Sequence, residues 1–134
     1  MEYVNVADYD SLSLDYIGDA VWELELRKEF AKKHENHHLF VTKVKKYVNA
    51  KFQNLIYLKI FDGLDDYEAA VSKRARNCVI KSYPKSCSPI EYRNATAFEA
   101  LIGYYHLSKK ENKICEIIQN YIIKGGEVCV LKSV

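Results

Sequence analysis

Residues 11–28 read SLSLDYIGDAVWELELRK, and the reading of this stretch decides the fold. Leu14, Ile17, Val21 and Leu24 recur at i, i+3, i+7 and i+10, which predicts an α-helix over about 11–32. Asp10 or Ser11 can cap it, and Arg27, Lys28, Lys32 and Lys33 lie where the C-terminal dipole favours cations. Asp15, Asp19 and Glu23 fall at i, i+4 and i+8 and therefore stack on one face. Each like-charged pair of this kind costs an isolated helix about 0.2–0.5 kcal/mol, tolerable if solvated and useful if a cation lies against it. An exposed acidic stripe is the plain account. Gly18 argues for more, because Gly inside a helix costs about 1 kcal/mol relative to Ala and suggests that something approaches the backbone closely.

A second stretch, residues 94–107 NATAFEALIGYYHL, repeats the arrangement. Phe98, Leu101, Ile102 and Tyr105 mark an apolar helical face, and Glu99 is the only acid in the run, with Ala95, Thr96 and Gly103 around it. If the two glycine-bearing faces cross, Asp15, Asp19 and Glu99 converge into a set of oxygen donors without His or Cys, the chemistry that Mg²⁺ or Mn²⁺ selects. The spacing is equally compatible with Glu99 paired to Arg93 or a Lys and merely fixing the crossing. Lys73, Arg74, Arg76, Lys81, Lys85 and Arg93 place six cations in 21 residues. This is a modest phosphate-binding footprint, although cations at a helix C-terminus also offset its dipole.

The remaining periodicity predicts a helix from about Leu39 to Ile60 through Val44, Val48, Phe52, Leu55 and Leu58, and another from Asp65 to about Asn77. A loop then ends with Ser88 as N-cap and Pro89 at the first helical position, opening a helix that runs to about Leu107. A last helix is expected from about Lys110 to Lys124, and residues 127–134 are expected to be an extended tail. The class is all-α, with about five main helices in a single domain over 1–134. With 49% apolar and 28% charged residues, disorder is excluded as the main state, and a net charge of +2 selects no class of partner. No window reaches 18 uninterrupted apolar residues and the start, MEYVNVADYD, lacks a basic region, so a cytoplasmic protein with no membrane partner is expected. Cys78, Cys87, Cys115 and Cys129 show no paired spacing and are expected as free thiols, while His34, His37 and His38 sit in a polar stretch and are expected to be solvated.

LSLDYIGDAVW resembles the signature of the ribonuclease III catalytic domain, in which an acid, two apolar residues and Gly-Asp open the nuclease helix. TAFEALIG resembles that family's second motif. The order and separation of the two, the KRARN run and the Thr before AFEALIGY make the chain similar to the Mini-ribonuclease III branch over nearly its whole length. The resemblance implies a ribonuclease III-like endonuclease domain that works as a homodimer. It further implies a Mg²⁺-dependent endoribonuclease, with Mn²⁺ able to substitute, that cuts double-stranded RNA to leave 5′ phosphate and 3′ hydroxyl ends. The expected substrate is the 23S ribosomal RNA precursor stem, in ribosome biogenesis.

Carried over residue by residue, Asp19 and Glu99 match the two indispensable catalytic, metal-binding acids, and Asp15 matches a supporting metal-site acid that is Glu in the larger enzymes. Thr96 falls where those enzymes place another Asp, and Leu12 and Ser13 replace the charged pair opening the longer signature, so more waters should complete the metal's octahedron. Tyr16 matches an aromatic position that packs across the dimer, and the helix face around Tyr16 and Trp22 is expected at the interface, against the alternative that both are intrachain core. Lys73, Arg74, Arg76 and Lys85 are the expected RNA contacts. The competing class is a non-catalytic RNA-binding relative of the same fold, which would have no reason to keep Asp15, Asp19 and Glu99 together. A helical nucleotide pyrophosphohydrolase would need denser Glu at i, i+3 spacing, and an HD-type phosphohydrolase an adjacent His-Asp pair; neither pattern is present.

Overall fold

A serine, a proline and a glutamate start the helix around which the rest is built. The Ser88 hydroxyl accepts from the Glu91 backbone N–H at 3.1 Å while the Glu91 carboxylate accepts from the Ser88 N–H at 2.9 Å, with Pro89 at the first helical position. The computed structural model describes residues 5–78 and 82–124 of the chain. Among them are six α-helices and no strand: α1 (Ser11–Ala31), α2 (His37–Lys45), α3 (Ala50–Ile60), α4 (Asp66–Arg76), α5 (Pro89–Leu107) and α6 (Glu111–Ile118), the last continuing as a π-helical stretch over Gln119–Ile123. From Asn94 to Tyr105 every residue of α5 except Glu99 is buried, with α1, α3 and α4 packed around it. No described helix is long and apolar enough to cross a membrane.

On α1 the buried ridge is Leu14, Gly18, Trp22, Leu26 and Phe30. This corrects the face expected from Leu14, Ile17, Val21 and Leu24: Ile17 and Val21 are only half-buried and Leu24 is exposed. The cause is backbone contact. A Cβ placed on Gly18 would lie 1.6 Å from the Glu99 carbonyl oxygen, and one on Gly103 would lie 2.2 Å from the Leu14 carbonyl oxygen. With both glycines turned into the crossing, the row of residues four apart that contains Gly18 becomes the packing ridge. Trp22 is carried inward with it. It is 0% exposed, its ring lies edge-on to Phe98 at 4.9 Å, and its indole N–H donates to the Tyr47 carbonyl at 2.8 Å. The expectation that Trp22 lies at an interface is therefore corrected, whereas Tyr16 is 81% exposed.

The single helix expected over 39–60 is two. Asn49 divides it with one side chain: its amide donates to the carbonyls of Lys45 and Lys46 at 3.2 and 2.9 Å, closing α2, while its oxygen accepts from the Phe52 N–H at 2.9 Å, opening α3. The apolar period passes through this break undisturbed, which is why periodicity missed it. The face of α3 is corrected too. Leu55 and Leu58 are 54% and 58% exposed, and the buried residues are Gln53, Asn54, Ile56 and Tyr57. Tyr57 shares a buried hydroxyl hydrogen bond of 2.8 Å with Ser72 on α4. Cys78, Cys87 and Cys115 are free thiols. Lys81, Cys129 and the tail over 127–134 lie outside the described residues.

Candidate metal and nucleic-acid site

Three helices meet at Glu99. The close contact of Gly18 with the Glu99 backbone brings α1 against α5 at this residue, so Asp15 and Asp19, one turn apart on α1, both act on the Glu99 carboxyl. From α3, the Gln53 side-chain amide donates to Glu99 Oε2 at 3.1 Å. Asp15 Oδ1 is buried and has no hydrogen-bond partner.

Burial, the hydrogen bond to Asp19 and the negative charges of Asp15 and Asp19 push the Glu99 carboxyl up to about 10. Burial also lifts Asp15 to about 6, with the Glu99 hydrogen bond opposing and the Asp19 charge adding. Near neutrality, then, the cluster on its own retains a proton on Glu99, because like charges this close in a poorly solvated place cannot all ionise. Tyr92, two turns before Glu99 on α5, is raised by burial and then by the charges of Asp15 and Glu99.

The alternative pairing of Glu99 with Arg93 is not what forms. Arg93 donates from Nη1 to the carbonyls of Arg76 and Cys78 at 3.0 and 3.3 Å, and its guanidinium lies 5.8 Å from the Tyr83 ring centroid. Thr96 turns back on its own helix, its hydroxyl donating to the Tyr92 carbonyl at 3.0 Å. The cluster fits a divalent cation that prefers oxygen: its donors are carboxylates, one buried lone pair is unsatisfied, and a dication would offset the burial and crowding of these acids. Among the described residues no three His, Cys, Asp or Glu side chains are spaced to hold one ion together. Such a site suits an ion that keeps several waters and takes only one or two carboxylates.

A pH effect on stability follows from these shifts. Both folded-state values lie above the ordinary ones, so the protonated carboxyls stabilise the fold below about pH 4, and that contribution is lost as pH rises through about 6 for Asp15 and towards about 10 for Glu99. Urea unfolding without divalent metal should therefore show stability falling from pH 5 to pH 9, and Glu99→Gln should flatten the fall. Equal slopes in the two proteins would contradict this charge balance.

The basic residues divide by role. Arg74 donates from Nε to Ser11 Oγ at 2.8 Å and from Nη2 to the Tyr9 carbonyl at 3.3 Å, tying the end of α4 to the start of α1, one turn before Asp15. Arg74, expected as a phosphate contact, also clamps two parts of the chain together, and its side chain remains exposed. Lys73 lies 5.4 Å over the Phe61 ring with its side chain exposed, Arg76 is half-buried, and Lys85 is exposed in the loop before α5. Arg74→Met should lower stability by about 1 kcal/mol, the usual worth of such hydrogen bonds. Arg76→Gln with Lys85→Gln should leave the melting temperature unchanged, weaken duplex RNA binding and flatten its salt dependence. An unchanged salt slope would leave these two cations without a phosphate role.

Sequence reading missed three buried amides: Gln53, and the pair Asn54 and Asn94, in which Asn94 Nδ2 donates to Asn54 Oδ1 at 2.7 Å. The signal available was the adjacent Gln-Asn in a helix with enough leucines to bury instead.

The ribonuclease III domain family matches residues 12–110. A Mini-ribonuclease 3-like protein of Fusobacterium nucleatum is 47% identical over 121 residues, covering 90% of this chain and 93% of that one. A Mini-ribonuclease 3-like protein of Ilyobacter polytropus is 45% identical over 125 residues, covering 93% and 98%, and the Mini-ribonuclease 3 of Brevibacillus brevis is 39% identical over 122 residues, covering 87% and 88%. The crystal structure of a Fusobacterium nucleatum protein superposes with a TM-score of 0.85 at 46% identity, covering 92% of this chain and 99% of that one. Since the matched segment runs from Leu12 through both acid-bearing helices to Lys110, the chain belongs to the ribonuclease III family, in its Mini-ribonuclease III branch.

Proposed function

We propose that the chain is a Mg²⁺-dependent endoribonuclease that cuts double-stranded RNA as a homodimer in the cytoplasm, with the 23S ribosomal RNA precursor stem as its natural substrate. The observation that carries this reading is the Asp15, Asp19 and Glu99 cluster, where burial and neighbouring acids raise the Asp15 and Glu99 carboxyls while a buried Asp15 oxygen goes unpartnered. Asp19 and Glu99 would hold the ion, with Asp15 supporting them. Once bound, Mg²⁺ or Mn²⁺ supplies a water of lowered pKa for attack on the scissile phosphate and stabilises charge on the leaving 3′ oxygen, giving 5′ phosphate products.

The chain's own residues do the rest. Glu99 and Asp19 would offer their carboxylate oxygens to the ion. The Gly18 and Gly103 contact holds the two carboxylate-bearing helices at fixed separation. Lys73, Arg74, Arg76 and Lys85 would supply positive charge for phosphates, and an A-form duplex would then be recognised by shape and backbone.

One acid cluster per chain serves one strand, so two chains related by a two-fold axis would serve both. The outward face of α1, with Leu12, Tyr16 and Leu24 exposed, supplies apolar surface for that pairing. Incubation with a long RNA duplex, a single strand and a nucleoside triphosphate, each with Mg²⁺ or EDTA, tests the reaction class: only the duplex with Mg²⁺ should be cut, and triphosphate hydrolysis in its place would overturn the reading. Dimers purified from wild-type chains co-expressed with Glu99→Gln chains should nick one strand of a labelled duplex. Double-strand breaks in a single encounter, or an active monomer, would refute one site per strand.

A further inference from the structure

We infer that Gln53 is the positioning residue of Glu99: its side-chain amide holds one carboxylate oxygen, leaves the other for a divalent cation, and thereby sets the metal affinity of the site. The inference rests on the reading of Glu99 as a metal ligand. Gln53 is 3% exposed, on a helix that turns Leu55 and Leu58 to solvent and two amides to the core. Folding gains nothing from that choice unless the amides are bonded, since a buried amide without a partner is costly. Both are bonded, and both to α5: Asn54 to Asn94 at 2.7 Å and Gln53 to Glu99 Oε2 at 3.1 Å. The Asn pair alone would fix how α3 sits on α5. A second amide, spent on a carboxyl rather than on another neutral group, has a separate use.

That use follows from the donors around Glu99. Asp15 and Asp19 are themselves acids, and an ionised carboxylate can only accept, so neither can steady an ionised Glu99 by donating to it. An amide N–H can only donate, and it donates more strongly to an ionised carboxylate than to a neutral carboxyl. The Gln53 bond therefore survives metal entry and becomes the contact that keeps the Glu99 plane in place. Outer partners that orient a ligand in this way typically change metal affinity about 10–100-fold when removed.

The test is direct Mn²⁺ titration of the full chain, followed by the electron paramagnetic resonance of free Mn²⁺, with thermal melts of the metal-free proteins alongside. Gln53→Leu should melt cooperatively and bind Mn²⁺ about tenfold or more weakly, and the Mg²⁺ concentration for half-maximal cleavage should rise by the same factor. Asn54→Leu, which breaks the neighbouring amide pair, should lower the melting temperature and leave Mn²⁺ affinity within twofold. If Gln53→Leu does not fold, Gln53→Met keeps the side-chain length and takes its place. Equal losses of affinity in the Gln53 and Asn54 variants, or unchanged affinity in the Gln53 variant, would overturn the assignment. Glu99→Gln separates the two readings: if it abolishes binding while the Gln53 variants retain it, only the positioning role fails. If Glu99→Gln binds Mn²⁺ as wild type does, the metal site itself is elsewhere and the inference falls with it.

Discussion

Glu99→Gln and Asp19→Asn should each reduce cleavage of an RNA duplex by about a thousandfold or more, which is about 4 kcal/mol of transition-state stabilisation, while leaving duplex binding within a few-fold of wild type. Each substitution keeps the shape of the side chain and removes an anionic ligand. Glu99 is the stronger case because it touches both acids of α1 and the amide of α3, so the donor set loses its common member. Asp15→Asn should be milder, about ten- to a hundredfold, as befits a carboxylate that supports the ligands. Loss of activity through misfolding predicts the opposite change in stability. Gln needs no proton taken up to occupy that buried place, so Glu99→Gln should melt at or above the wild-type temperature at pH 8 without metal. A Glu99→Gln protein that still cuts at saturating Mg²⁺ would end the assignment of this cluster as the active site.

How far the sequence carries depends on whether a signal is local. Ser88 with Pro89 and Glu91, and Asp65 with Glu68, start their helices through bonds spanning three residues, so both starts are legible from sequence. The crossing of α1 and α5 was legible for another reason: Gly18 and Gly103 are expensive in helices, and each sits beside an acid in an apolar run. The face of α1 was not, because periodicity counts side chains and Gly18 contributes none, so it points Leu24 inward. Asn49 was overlooked because one side chain ends a helix and begins the next without interrupting the apolar period. On α3 hydrophobicity pointed the wrong way. Gln53 and Asn54 are inside only because Glu99 and Asn94 are there to bond them, and those partners lie 46 and 40 residues away. Arg74 follows the same rule, since its use as a clamp depends on Ser11, 63 residues distant. The meeting of the acids at the helix crossing was therefore readable, and the residues that hold others in place were not.

The second large effect should come from a single methyl group. In Gly18→Ala the new Cβ would lie 1.6 Å from the Glu99 carbonyl oxygen, 2.6 Å from its carbon and 2.9 Å from the Gly103 nitrogen, all backbone atoms of a fully packed helix. No side chain can rotate away, so α1 and α5 must part by about 2 Å to restore ordinary contact. Helix propensity alone favours the substitution by about 1 kcal/mol, and parting the helices opposes it. Overpacking costs about 1–3 kcal/mol, occasionally more, and the gap opened between Trp22 and Phe98 adds a cavity term. A net loss of about 3 kcal/mol, or roughly 10 °C in melting temperature, is expected. Gly103→Ala, with its nearest atom at 2.2 Å, should behave similarly and somewhat more mildly, while Gly63→Ala, with nothing within 4 Å, should stay within about 0.5 kcal/mol of wild type. The same movement separates the carboxyls of Asp15 and Asp19 from Glu99. At a temperature where Gly18→Ala remains folded, cleavage should still fall about a hundredfold, the usual cost of displacing reacting groups by about 1 Å. Melting curves and single-turnover cleavage of the three glycine variants measure the two effects separately. A Gly18→Ala protein as stable and as active as Gly63→Ala would mean that the two helices do not touch at Glu99, and the site built on that contact would have to be redrawn.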